Sequence, residues 1–238
     1  MKGERFEDVL KEEINLNFVS IINFRGKSAL HITRGPQCLA FRHCYDNHRR
    51  EYDWLSFFDF DEFLVSKDNK KIQEFLDDPK FSKCINIKIN WVVYSDNNLV
   101  YYENKPVQER FTEIIPNDYE NRHIKSTVRG NLTENYWNGM QNPHTSHNDL
   151  VCCDPAGNIT DSKSPFHWPP VYEGTYIKHY ITKTIEEFIG KSRRGRSDIP
   201  YSLNSKYWKE RIKYFFERNK KTKEKLDVIK KELNIDVK

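Results

Sequence analysis

No apolar run in the 238 residues approaches the length of a membrane-spanning helix, and Met1 is followed by charged residues rather than an apolar signal segment. Cysteine is sparse. Cys38, Cys44, Cys84, Cys152 and Cys153 make an odd set in which no C-x-x-C spacing occurs. No His-x-x-x-His and no Cys/His finger spacing appear either, so neither a structural zinc nor a dithiol redox centre is indicated. Reduced thiols in a cytoplasmic protein are the expectation, with Cys152-Cys153 read as part of a strand. No internal repeat is visible.

A strong excess of either charge is also lacking. The net charge is +4, and it gathers at one end: residues 206–233 hold eleven Lys/Arg against five Asp/Glu. The remainder is slightly acidic, so nucleic acid is not an expected partner. The basic tail carries Trp208, Ile212, Phe215 and Phe216 on one helical stripe. It reads as a packed terminal helix or as a surface helix making peripheral contact with anionic lipid at the inner face of a membrane.

What the chain does have is an aromatic stretch that ends in carboxylates. Residues 54–58 read as a buried strand, and Asp59, Asp61 and Glu62 follow at once. Burying unpaired charge is costly, so carboxylates at a strand end need a reason. Ligands sit at the carboxyl ends of strands in open α/β sheets. Two aspartates at i and i+2 on extended chain point to one side and can hold a hard divalent cation that shares substrate phosphates. This Asp-x-Asp is the only one in the chain. The plain alternative is a strand end running into a solvated acidic turn.

Along the chain, apolar spacing predicts a helix over 4–14 and a strand over 16–24. A loop holding Lys27, His31 and Arg34 follows, and Gly35-Pro36 starts a helix reaching about His48. Ile72, Phe75 and Leu76 form the face of another helix, capped by Ser66 or Asp68 and stopped at Asp78-Pro79. Residues 84–94 alternate as a half-buried strand, with Ile85, Ile87, Ile89 and Trp91 inward and Asn86, Lys88 and Asn90 outward. Residues 99–102 read as a further strand. Between 103 and 175 seven prolines break the pattern, and only 123–129 reads as a strand. A strand over 176–181 precedes the capping box of Thr184 and Glu187. The fold class expected is α/β, a mixed and mostly parallel sheet flanked by helices. A domain over 1–200 is followed by a basic helical tail over 201–238.

Several cations lie near strand ends: Lys125, Arg129, Lys183, Lys191 and Arg194 are the candidates for a diphosphate. His144 and His147 share a proline-bearing loop, and His179 lies in a strand. A neutral imidazole is a suitable third ligand for a transition metal already held by carboxylates.

Five segments in order, YDWLSFFDFDEF (52–63), ERF (109–111), IKSTVR (124–129), NPH (142–144) and KHYITKTIEEF (178–188), resemble glycosyltransferase family 92 and related bacterial family-2-like transferases. The similarity runs from about Phe6 to Arg196. It implies a GT-A fold, a nucleotide-sugar donor (a UDP-sugar first, galactose commonly, transferred with inversion) and a glycan or lipid-linked acceptor. It further implies Mn²⁺ or Mg²⁺ held by Asp59 and Asp61, with His179 and then His144 as added ligands. The opening strand-helix-strand usual in such domains has no counterpart here, which reads as an N-terminally incomplete domain or a base pocket built otherwise.

Inverting transfer needs a carboxylate to take the acceptor proton, and Asp96 and Glu109 are the candidates. Trp91 and Trp137 could stack on sugar faces. The rival readings are a non-catalytic remnant that binds a sugar or partner, and a phosphatase of the haloacid-dehalogenase type. The latter motif wants Thr or Val where Phe63 stands.

Overall fold

The computed structural model describes residues 5–22, 35–67, 70–131, 143–145, 150–161, 163–194 and 205–235. Lys27, His31, Arg34, Asp68, Trp137, Asn142 and His147 lie outside the described residues. The elements are α1 (Phe6–Val9), α2 (Lys11–Asn15), α3 (Gly35–His48), β1 (Trp54–Ser56), β2 (Glu62–Ser66), α4 (Ile72–Leu76) and β3 (Asn86–Val93). They continue with α5 (Val107–Arg110), β4 (Ile124–Arg129), β5 (Cys152–Cys153), β6 (Ile159–Thr160), β7 (Thr175–His179), α6 (Ile185–Arg194), α7 (Ser205–Phe216) and α8 (Lys223–Leu233).

The seven strands form one mixed sheet around β3. β3 runs antiparallel to β4 and parallel to both β5 and β7. The pairs β1–β4, β2–β7 and β5–β6 are antiparallel. The expectation of a mostly parallel sheet is therefore corrected. Parallel neighbours need long crossovers, commonly helical. Two strands that made the alternation look regular do not form: residues 16–22 are turn and irregular chain, and 99–102 are a bend. The helix expected over 4–14 is broken at Leu10 into α1 and α2.

β3 departs from its expected half-exposure in an instructive way. Asn86, Lys88 and Asn90 are fully buried, as are Ile87 and Ile89 on the other face. A buried donor without an acceptor is costly, and each of these finds carbonyls in loops that cross the sheet. Asn86 Nδ2 donates to Pro143 O at 3.0 Å. Lys88 Nζ donates to Asp161 O and Ser164 O at 2.6 and 2.7 Å. Asn90 Nδ2 donates to Asn121 O and His167 O at 3.0 and 3.1 Å. The polar face of β3 thus fixes loops from the proline-rich region against the sheet.

Helices cover both faces. Phe41 and Tyr45 of α3 pack on Leu55, Phe57 and Val128. Phe75 of α4 packs with Phe81, Ile87, Ile89 and Ile177 on the other side. Cys84 and Cys153 form a disulfide tying the start of β3 to β5, which corrects the reading of all five cysteines as reduced thiols. With it goes the cysteine argument for a cytoplasmic location, since disulfides persist in oxidising compartments.

The basic tail is packed. Trp208, Ile212 and Phe215 of α7 and Val228 and Ile229 of α8 share a core with Ile185, Phe188 and Ile189 of α6. The stripe that could have entered a lipid surface is spent inside the protein. Among the described residues no helix is long and apolar enough to cross a membrane.

Candidate active site

The acidic run forms a tight turn between β1 and β2. Phe63-Leu64-Val65 continues as strand β2, pairing with β7 in the register Glu62↔His179. The turn is closed by Glu62 N–H donating to Asp59 O at 3.1 Å and by Asp59 N–H donating to Glu62 Oε2 at 2.9 Å. Tyr180 N–H donates to Asp61 O at 3.2 Å, holding the turn against the end of β7. Between the two aspartates Phe60 stands exposed, its ring stacked on Phe6 with centroids 5.5 Å apart.

Because the turn is not extended chain, the two carboxylates face different cations. Lys125 Nζ, from β4, donates to Asp59 Oδ2 at 2.6 Å, and Gln37 Nε2 of α3 donates to Asp59 Oδ1 at 3.2 Å. Lys191 Nζ, from α6, donates to Asp61 Oδ2 at 2.6 Å. His179 Nε2 lies 3.8 Å from Asp61 Oδ1. Lys183, in a left-handed backbone conformation with φ 56°, adds positive potential at Asp61.

The environments push neighbouring groups in opposite directions. Burial works to raise the Asp61 carboxyl, but Lys191, His179 and Lys183 outweigh it and hold it below the usual carboxylate range. Glu62, one residue on, is pushed up to about 7 by burial, with Lys125 and the Asp59 amide pulling the other way. Burial takes the His179 imidazole down to about 3, so it is neutral at physiological pH. Burial also lowers Lys183 against the pull of Asp61 and Glu187.

Behind this cluster lies an aromatic stack. Trp91 sits on His123 with ring centroids 4.5 Å apart and planes 15° apart, and against His179 at 4.0 Å. Lys125 Nζ is 5.8 Å from the Trp91 ring centroid. Trp91 therefore packs the imidazole and the ammonium in place.

Asp59, Asp61, Lys125, Lys183, Lys191, His179 and Trp91 are thus brought together. The other expected residues are not. His144 is buried against Phe41 and bonded through Nδ1 to Ser126 Oγ at 3.1 Å, and Ser126 lies on the face of β4 opposite Lys125. Arg129 donates to Cys84 O and Phe81 O at 2.8 Å each and covers Trp54, so it ties the sheet rather than meeting a ligand. Arg194 is exposed at the end of α6. Asp96 is buried and ion-paired with the fully buried Lys225 of α8, and its N–H donates to Asn219 Oδ1 at 2.7 Å. Burial pushes its carboxyl up against the pull of Lys225. None of these contacts leads to the acidic turn. Glu109 is exposed on α5. Glu62 belongs to the site without having been a candidate; the sequence displays it as the third carboxylate of the run, but its burial comes from pairing with β7.

Among the described residues no three His, Cys, Asp or Glu side chains are grouped to hold a metal ion. Asp61 and His179, 3.8 Å apart, are the two residues of the turn whose chemistry could serve such an ion. One supplies a hard carboxylate kept ionised by its neighbours, the other a neutral imidazole. A hard divalent cation commonly takes its remaining ligands from substrate phosphates and water.

The family model of glycosyltransferase family 92 matches residues 3–234, across the acidic turn, the sheet and both terminal helices. No curated protein in the comparison matches the chain.

Proposed function

The chain belongs to glycosyltransferase family 92, and from that premise we propose that it transfers a hexose from a UDP-sugar to a glycan or lipid-linked acceptor with inversion, using Mn²⁺ or Mg²⁺. As a glycosyltransferase it takes a nucleotide-sugar donor and an acceptor. The finer reading is carried by one observation: a turn holding two aspartates meets Lys125, Lys183, Lys191 and a neutral His179 at a single place. A phosphatase reading is set aside by the family, and a purely binding remnant would have no need of so many charges held in register.

As the bond from sugar to diphosphate breaks, negative charge grows on the leaving nucleotide. Ammonium groups already fixed beside that position stabilise the charge without reorganising, most strongly where water is excluded. Lys191 and Lys183, which act on Asp61, are the cations proposed for this role, while Asp61 and His179 would hold the cation. When bound, the cation acts as a Lewis acid on the phosphate oxygens. Trp91 keeps His179 oriented. Proton removal from the acceptor hydroxyl requires a carboxylate. Asp96 is committed to Lys225 and Glu109 is exposed on α5, so neither expected carboxylate is brought to the turn to serve as that base.

The reading is tested with a panel of UDP- and GDP-sugars, scored for Mn²⁺-dependent release of nucleotide, UDP-galactose first. Asp61→Ala is expected to abolish Mn²⁺-dependent UDP binding in calorimetry while leaving the thermal transition in place. Unchanged binding would discard the metal assignment.

A further inference from the structure

A cavity opens on the face of the sheet turned away from the acidic turn. Side chains alternate along a strand, so Val92 of β3 and Tyr176 of β7 point away from the face that carries Trp91 and His179. Val92 and Tyr176 line a cavity of about 620 Å³ together with Trp168, Tyr172, Asn121 and Lys67. That volume lies within the range of about 300–1,000 Å³ typical of small-ligand sites. Trp168 is 59% exposed, and its ring meets no aromatic ring or cation among the described residues. Tyr172 is fixed by its hydroxyl, which donates to Trp91 O at 2.9 Å, and its ring lies 6.3 Å from that of Tyr176. Asn121 is buried, 5% exposed. Its Oδ1 accepts from Val93 N–H at 2.8 Å, which fixes the orientation of the amide. No acceptor takes its Nδ2 among the described residues, and the side chain lines the cavity. A largely buried donor without a partner is unusual and calls for one.

We infer that this cavity is a glycan-binding subsite, separate from the acidic turn, that takes a neutral oligosaccharide. A pyranose presents an apolar C–H face bordered by hydroxyls. An exposed indole and two phenol rings suit such a face, since they offer large apolar area with polar groups at the edge. Asn121 Nδ2 is held ready to donate to a sugar hydroxyl or ring oxygen. Lys67 is the one charged side chain among the described residues of the lining, 5.8 Å from the Tyr176 ring centroid. A single ammonium is too little for a nucleoside diphosphate, and with no carboxylate in the lining a basic ligand has no partner. Proline-rich peptides also dock in aromatic grooves. The choice of a glycan over such a peptide rests on the transferase reading above, in which the chain already handles sugars. A glycan held here stays with the enzyme and raises the local concentration of acceptor.

The experiment is a calorimetric titration of cellotriose, maltotriose, chitotriose and N-acetyllactosamine, without donor or metal. Each sugar is titrated into the full chain and its Trp168→Ala, Asn121→Asp and Asp61→Ala variants, all first checked by thermal melting. At least one sugar is expected to bind wild type. Trp168→Ala should weaken that binding about tenfold, which corresponds to about 1.4 kcal/mol. Asn121→Asp keeps an acceptor for Val93 N–H and removes the donor, so it should weaken binding as well. Asp61→Ala should bind the sugar like wild type; loss of binding there would put the sugar at the acidic turn and overturns the inference. So does the failure of every sugar to bind, or unchanged binding by Trp168→Ala or by a folded Asn121→Asp. If Asn121→Asp fails to fold, Trp168→Ala, at an exposed position, decides alone. A proline-rich peptide that binds wild type and not Trp168→Ala, with no sugar bound, would assign the cavity to a peptide and likewise overturns it. Failure of the transferase reading shows separately, as no release of nucleotide from any sugar donor.

Discussion

Asp61 and Glu62 are adjacent carboxyls with opposite fates, and only their neighbours distinguish them. Asp61 meets Lys191 and stays ionised; burial pushes Glu62, with no side-chain exposure, up to about 7. Glu187 repeats the first case away from the turn. Burial works to raise its carboxyl, but hydrogen bonds from Arg110 and Thr184 outweigh it and hold it below 4.5. A carboxyl lowered by folding contributes stability that is fully present above its unfolded value and is lost as pH falls through its folded one. Glu187→Gln should therefore lower the melting temperature at neutral pH, and the gap to wild type should close as the pH falls below the unfolded carboxyl's value and through the lowered folded one. A gap that stays constant into acid would show that the Arg110–Glu187 charge pair is not its source. The identities of these residues are plain in the sequence, but their protonation is not, because each shift is set by groups brought in from distant strands and helices.

At the scale of elements, the outcome followed how local the signal was. Gly35-Pro36 and the apolar spacing behind it mark α3 over Gly35–His48, as expected. Thr184 and Glu187 form the expected reciprocal cap, with Thr184 Oγ1 accepting from Glu187 N–H at 3.2 Å. Residues 99–102 have strand-like composition, but Val100 is drawn into the core under α6 and the chain bends. Two glycines make a test of element packing. A Cβ on Gly130 would lie 1.8 Å from Tyr52 O and 2.5 Å from Arg49 O, where the chain after β4 passes the segment leading into β1. Gly190 lies inside α6 with nothing within 4 Å of such a Cβ. Gly130→Ala should lower the urea midpoint clearly, and Gly190→Ala should raise stability by about 0.4–1 kcal/mol. Equal effects of the two would contradict the packing described.

At the scale of the whole molecule, the Cys84–Cys153 bond ties the start of β3 to β5, and α6, α7 and α8 share a core. The disulfide spans 69 residues of sequence and lies among buried side chains. Reduction, or Cys84→Ser, is expected to cost about 2–4 kcal/mol, read as a lower melting temperature in reductant. An unchanged transition would mean that the pair contributes nothing to folding. The sequence by itself determined the α/β class, the place of the acidic turn after an aromatic strand, and the family, because strand and helix periodicities and a contiguous motif are properties of neighbours along the chain. The tertiary structure alone decided that the sheet is mostly antiparallel, that Asn86, Lys88 and Asn90 point into protein, and that Asp96 and His144 serve the core. It also decided that Glu62 belongs with Lys125. Each of these depends on which distant segments meet, and the burial and pairing that such meetings impose leave no mark at the residue itself.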